Sequence, residues 1–402
     1  MGSNAITTII GEHLLIRNGK SSPSRAITGE YPVYGSNGII GYSDEYNANE
    51  NTIIIGRVGS YCGSVYISGK KCWVTDNAII GTAKNENESH FWFYLLKKID
   101  LNNYSTGSGQ PLINQTIINT ISVTIPKLSE KRVSIGHFLR HFDQKINLSL
   151  NINQSLEQMS QTLFKSWFVD FDPVIDNALD AGNPIPEALQ SRAELRQKVR
   201  SSADFKPLPV EIRSLFPSEF EETELGWVPK GWNISLAGEE FIVKGGSTPS
   251  TANEDFWING TIHWTSPKDL TGNQSKVLLD TAKKITPLGL TKISSGLLPV
   301  NTVLMSSRAP IGYLAISKVP MAINQGYIAI PSAKHLSPEY TIYWLDNIMD
   351  DIKGMAGGTT FAEISKSAFK TIKLLIPSSD IITEFSRITR NHFDMVVVTP
   401  TY

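Results

Sequence analysis

The sequence predicts an α+β protein: two strand-rich domains, each followed by a helical rod, the second rod truncated. Three observations carry this. Ser129 to Phe168 runs for forty residues with no proline and one glycine. Within it Leu139, Phe142, Ile146, Leu156, Met159, Leu163 and Trp167 recur at spacings of three, four and seven, which place them on one helical face. At about 1.5 Å per residue this is a rod of roughly 60 Å. Second, the chain repeats itself. Gly107 opens GSGQPLINQTIINTISVTIP, ending at Pro126, and Gly358 opens GTTFAEISKSAFKTIKLLIP, ending at Pro377. His141-Phe142-Asp143 returns as His392-Phe393-Asp394 at the same offset of 251. Third, short apolar runs alternate with turn residues ahead of each rod.

The first domain is expected over 6–127. Ile53-Ile54-Ile55 and Val65-Tyr66-Ile67 flank a glycine-rich turn, Gly56 to Gly63, and Val74 to Ile80 reads as one further strand. His90 to Lys98 reads as a short helix. The long helix occupies 128–170. A connector, 171–225, is punctuated by Pro173, Pro184, Pro186, Pro207, Pro209 and Pro217, with a single helix from Pro186 to Ser201. The second domain is expected over 226–378 and the short helix over 379–402. Asn18 to Pro23 returns as Gly245 to Pro249, and NTIIIGR ending at Arg57 returns as NTVLMSSR ending at Arg308. About 25 residues are extra in the second copy, placed between Thr251 and Thr286 by these offsets.

Composition narrows the class. Of 402 residues, 41% are hydrophobic and 19% charged, ordinary for a globular chain, and the net charge is −1. No apolar run reaches the length of a membrane helix. Cys62 and Cys72 match no zinc spacing, and the plain expectation is a reduced, cytoplasmic protein without disulfides.

In order and in duplicate, several stretches resemble the specificity subunit of a Type I restriction–modification enzyme. They are Gly246-Ser247-Thr248-Pro249, Arg308-Ala309-Pro310-Ile311-Gly312, Gly357-Gly358-Thr359-Thr360, Phe164 to Asp172, and Gly226 to Trp232. The resemblance covers nearly the whole chain. It implies two target-recognition domains whose rods pack antiparallel, each domain reading one half of a split double-stranded DNA target. It also implies modification and restriction subunits as partners, which would carry S-adenosylmethionine, ATP and magnesium while this chain binds no cofactor.

The residues themselves offer no catalysis. There is no Asn-Pro-Pro-aromatic motif and no Gly-x4-Gly-Lys-Ser/Thr phosphate loop. Asp170 and Asp172 are expected to be solvated rather than to bind metal. Base edges are read by Arg, Lys, Asn and Gln, and phosphates by Ser, Thr and backbone amides. On that chemistry the DNA-reading residues of the first copy are Lys20, Ser21, Ser22, Arg25, Tyr34, Ser36, Asn37, Arg57, Ser108 and Gln110. Those of the second are Lys244, Ser247, Thr248, Ser250, Ser266, Lys268, Asn273, Arg308, Thr359 and Thr360. Arg57 and Arg308 recur as a shared pair, for a phosphate or for the fold. Phe138, Leu148, Leu150, Ile152 and Phe168 are the expected partner-docking residues. Two rival readings are a stand-alone DNA methyltransferase or nuclease, and a pair of non-DNA binding modules on a helical spacer.

Overall fold

The computed structural model describes residues 4–107, 109–272, 275–357 and 362–398. The chain divides into two compact units, one up to Leu148 and one from Ser149 onward, with the boundary inside the long helix.

In the first unit β1 (Ala5–Ile9) pairs antiparallel with β9 (Ser122–Pro126), so the two ends of the domain close on each other. Between them lie β2 (Leu14–Asn18), β3 (Tyr31–Gly35), β4 (Gly38–Ser43), β5 (Ile53–Gly56), β6 (Val65–Ile67), β7 (Trp73–Val74) and β8 (Ala78–Ala83). They form a four-stranded sheet, β2-β8-β5-β6, and a three-stranded one, β4-β3-β7. β5 is buried on both faces, which is why it reads as an unbroken isoleucine run rather than an alternation. The expected strand from Val74 to Ile80 is two strands in different sheets, broken by an exposed turn at Asp76-Asn77. Its β-branched residues show no periodicity that marks the break.

Helix α1 (Ser89–Ile99) packs on this core, α2 (Gln115–Thr120) follows, and α3 runs from Ser129 to Phe168. Glu88 fastens the start of α3. Its carboxylate takes Arg132 Nη2 at 2.8 Å and Nε at 2.9 Å, Ser129 Oγ at 2.5 Å and Trp92 Nε1 at 3.1 Å. Both charges are buried. Burial pushes the Glu88 carboxyl up, but the Arg132, Ser129 and Trp92 donors outweigh it and hold the group below its ordinary range. Removing one partner strands the other, so Glu88→Gln is expected to cost about 3–5 kcal/mol. Because the folded carboxyl titrates below the unfolded one, this stabilisation is present above the unfolded value. It is lost as pH falls through the folded value. Urea unfolding of both proteins should show their difference shrinking on acidification; a difference that grows would reverse the assignment.

The second unit has the same topology. After α4 (Asp172–Ala181), α5 (Gln190–Arg200) and the hairpin β10 (Phe220–Thr223)–β11 (Gly226–Pro229), β12 (Asn233–Leu236) opens the fold. Then come β13 (Phe241–Lys244), β14 (Ile262–Thr265), β15 (Val277–Leu278), β16 (Lys283–Ile285), β17 (Val303–Ser306), β18 (Leu314–Ser317), β19 (Met321–Ile323) and β20 (Tyr327–Ala333). Helices α6 (Pro338–Asn347) and α7 (Lys366–Lys370), strand β21 (Lys373–Ile376) and helix α8 (Ser379–Val398) complete the unit. β12 closes on β21. The sheets are β13-β20-β17-β18-β15 and β16-β14-β19, matching strand for strand those of the first unit with β15 added. The extra residues are not one block. Most replace the two-residue turn Ser36-Asn37 with an arm over 266–282, and others lengthen the links before β14 and before β17.

Within the second unit α8 lies antiparallel on the second half of α3. Ser160 Oγ meets His392 Nδ1 at 2.6 Å, while Phe164 and Trp167 pack on the ring of Phe385. The buried face is therefore Asn153, Ser160, Phe164, Trp167 and Phe168. Met159, expected on it, is 58% exposed, and Phe142, on the part of α3 that belongs to the first unit, is 52% exposed. The seam contains Asn and Ser, so an apolar count misplaces its centre. Phe168 is 7% exposed within the main core, touching Tyr340, Phe385 and Trp232, and is not a docking residue.

The connector holds more structure than its prolines imply. Pro173 begins α4, where a missing N–H costs nothing. Asp172, Asp176 and Asp180 on α4 pair with Arg192, Arg196 and Arg200 on α5, rung by rung. Asp170 is also taken up, by Lys165 and Arg192. These carboxylates are ion-paired, and Asp172 is buried rather than solvated.

Candidate nucleic-acid interface

In each unit the polar stretches converge on the turn between two strands. In the first this is Thr75-Asp76-Asn77, between β7 and β8. The Lys20 N–H donates to Val74 O at 3.0 Å, and the Arg57 N–H to Asn77 O at 3.0 Å. Ser36 Oγ donates to Asn77 O at 2.5 Å, and an Arg57 Nη1 to Asp76 O at 3.2 Å. The 106–112 loop joins through Ile113 N–H to Arg57 O. Lys20, Ser36, Arg57 and the loop carrying Gln110 thus share one edge. Ser21, Ser22 and Arg25 continue it as an exposed segment beside Ile27, which is 93% exposed.

Glycine sets this geometry. A Cβ on Gly19 would lie 2.1 Å from Thr75 O, and one on Gly246 1.8 Å from Ile323 O. Only glycine lets the segment after β2, or after β13, press against the neighbouring turn.

In the second unit the turn is Asn324-Gln325-Gly326. The Ser247 N–H donates to Ile323 O at 3.1 Å, Thr248 Oγ1 to Gln325 Oε1 at 2.7 Å, and the Ser307 N–H to Gly326 O at 2.8 Å. Lys244, Thr248, Ser250, Lys268 and Gln325 are exposed around it. The arm that replaces the Ser36-Asn37 turn forms a groove of about 700 Å³ lined by Trp264, Ser266, Lys268, Thr281 and Lys283. At its rim the Thr281 N–H, then Lys284 and His263, hold the Asp280 carboxyl below the usual carboxylate range.

Several expected residues have other uses. Tyr34 is buried in the core and burial pushes its phenol up, so it is not a reading residue. The Ser247 hydroxyl is held between Lys292 O and the Ser294 N–H, and Ser266 forms a capping box with Asp269. Arg57 and Arg308 are not equivalent. The Arg57 hydrogen bonds to 77 and 113 are matched by those of Ser307 to 326 and 364, whereas Arg308 bridges Glu363 as Val58 bridges Leu112. One extra residue before Arg308 shifts it by one position. Arg308 pairs with Glu363 at 3.5 Å. Ser108, Asn273, Thr359 and Thr360 lie outside the described residues. Asn77 and Gln325, outside the expected set, are exposed at the two turns; the polar residues that end each β7- or β19-type apolar run, Asp76-Asn77 and Asn324-Gln325, are the signal the sequence offers.

Among the described residues no group of three His, Cys, Asp or Glu side chains could hold a metal ion. Among them, too, no helix is long and apolar enough to cross a membrane. Of the expected docking residues, Phe138, Leu148, Leu150 and Ile152 are exposed on α3.

The family model described as Type I restriction modification DNA specificity domain matches residues 10–158 and again 229–390. The chain is 34% identical over 171 residues to the type I restriction enzyme MjaIX specificity subunit of Methanocaldococcus jannaschii, covering 42% of this chain and 39% of that protein. It is 27% identical over 296 residues to the HindI specificity subunit of Haemophilus influenzae, covering 69% of this chain and 64% of that protein. Each alignment therefore spans less than two thirds of the relative's own length. In fold it is similar to the S subunit of a type I restriction–modification system from M. genitalium, with a TM-score of 0.61 at 14% identity over 98% of this chain and 94% of that one.

Proposed function

The chain belongs to the Type I restriction modification DNA specificity family, and on that premise we propose that it is a non-catalytic subunit that reads DNA sequence for a restriction–modification complex. Each unit reads one half of a split target. The observation that carries this is the repeated edge: the same turn, reached by the same close glycine contact, bears different side chains in the two units. A fixed scaffold with exchangeable contacts reads two unrelated short sequences. Lys20, Arg25, Arg57 and Asn37 serve in the first unit, and Lys244, Lys268, Thr248 and Gln325 in the second. Lysine and arginine fix the register on phosphates or pair with guanine, while the amides suit adenine.

The helices hold the gap between the half-targets. Modification subunits dock on exposed apolar side chains of α3, Phe138, Leu148, Leu150 and Ile152, and bring S-adenosylmethionine-dependent methylation; restriction subunits add ATP- and magnesium-dependent cleavage. A near-neutral reader fits partners that enclose the duplex and neutralise much of its phosphate charge. The complex works in the cytoplasm.

The test is retention of a random-sequence duplex library by the chain assembled with its modification subunits. Two short sequence blocks at a constant separation are expected. A single block, or no enrichment from an assembled complex, would contradict the reading.

A further inference from the structure

We infer that Ile27 in the first unit and Ile258 in the second each read the methyl group of a thymine, one in either half-target. The inference rests on the proposed function and deepens it by two side chains which that function leaves unused. Ile27 is 93% exposed and Ile258 55%. They hold one position in the repeat. β3 and β14 occupy the same place in their sheets: Tyr31 pairs with Ser43 and Val33 with Trp73, as Ile262 pairs with Ile285 and Trp264 with Ala322. Two residues before Tyr31 stands Gly29, and two before Ile262 stands Gly260. A Cβ on Gly29 would lie 3.0 Å from Tyr42 Cβ, and one on Gly260 2.6 Å from Lys284 O, so each presses on the strand that borders it. Ile27 and Ile258 are two residues earlier again. The residues just before them differ, Arg25-Ala26 against Phe256-Trp257, yet the isoleucine stays.

Both backbones are fixed where the side chain leaves them. The Ala26 N–H donates to Tyr42 O at 2.9 Å and the Tyr42 N–H to Ala26 O at 3.0 Å. The Ile258 N–H donates to Glu254 O at 2.8 Å. Trp257 beside it is anchored edge-on against Trp264, with its Nε1 on Ser250 O at 3.0 Å. Each isoleucine stands among the residues assigned to reading. Ile27 shares one shallow hollow with Ser22, Arg25 and Ile40. The Trp257–Trp264 pair ties Ile258 to the groove that holds Lys268. An isoleucine so open adds little burial to the fold, and its branched side chain is stiff enough to be placed without a large entropy cost. In the major groove the base edges offer donors, acceptors and a single apolar group, the C5 methyl of thymine. Lysine, arginine and the amides cannot sense that methyl; an exposed aliphatic side chain can. Each unit thus sets one apolar reader beside its polar readers, at a constant place.

Deoxyuridine, which is thymidine without the methyl, tests this on the full chain assembled with its modification subunits. In the duplex selected from the library, thymines of both strands are replaced one at a time and the affinity is measured. One position in each half-target is expected to lose about fourfold, the weight of one methyl carbon taken out of water. Ile27→Ala should abolish that loss in one half only, and Ile258→Ala in the other, since a side chain that is gone no longer feels the methyl. Deoxyuridine that costs nothing anywhere with the wild-type chain overturns the inference, as do losses that persist unchanged in both variants. Alanine variants that assemble poorly with the modification subunits would make the isoleucines partner contacts and overturn it too. A library that yields no target at all would instead end the proposed function, and the inference with it.

Discussion

Exchanging residues 20–37 for the matching segment of a specificity subunit with another target is expected to change the bases recognised at one end of the target only. The segment supplies Lys20, Ser21, Ser22, Arg25 and Asn37, all exposed, while the scaffold beneath it is Gly19 against Thr75 O. Exchange of 250–285 should alter the other end alone, since it carries Lys268 and the arm over 266–282. Each wrong base pair costs about 1–3 kcal/mol, so a half-target of three base pairs is lost by a hundredfold or more. Selection from a random duplex library with each chimera would show it. Two halves that change together would mean that the units do not read independently.

The sequence carried much of this architecture because the repeat is written in landmarks with strict geometric duties. Gly19 and Gly246 cannot be replaced where a carbonyl comes so close. The α3 helix was legible over its full length, Ser129–Phe168, because nothing in it breaks a helix. What was not legible has physical causes. Phe168 and Phe138 are the same residue type on the same helix, and only the fold decides that one is core and the other exposed. Tyr34 sits in a polar run yet is buried, because β3 is covered on both faces from Pro32 to Gly35. Arg57 and Arg308 align by eye, but hydrogen-bond partners show a register one residue apart. The Asp–Arg ladder of α4 and α5 was hidden by prolines that begin helices rather than end them.

The most direct test of the central claim is the affinity of the assembled complex for its selected duplex as the gap between the two half-targets is changed. Each inserted base pair moves the second half by about 3.4 Å and turns it by roughly 36° about the duplex axis. Under the proposed function the helices hold the gap between the half-targets, so the second half-target cannot make that turn without losing contacts. The account predicts that one added or removed base pair weakens binding by at least about tenfold, and that five, half a turn, reduce it to the level of a single half-target. Affinity unchanged by one or two inserted base pairs would contradict it.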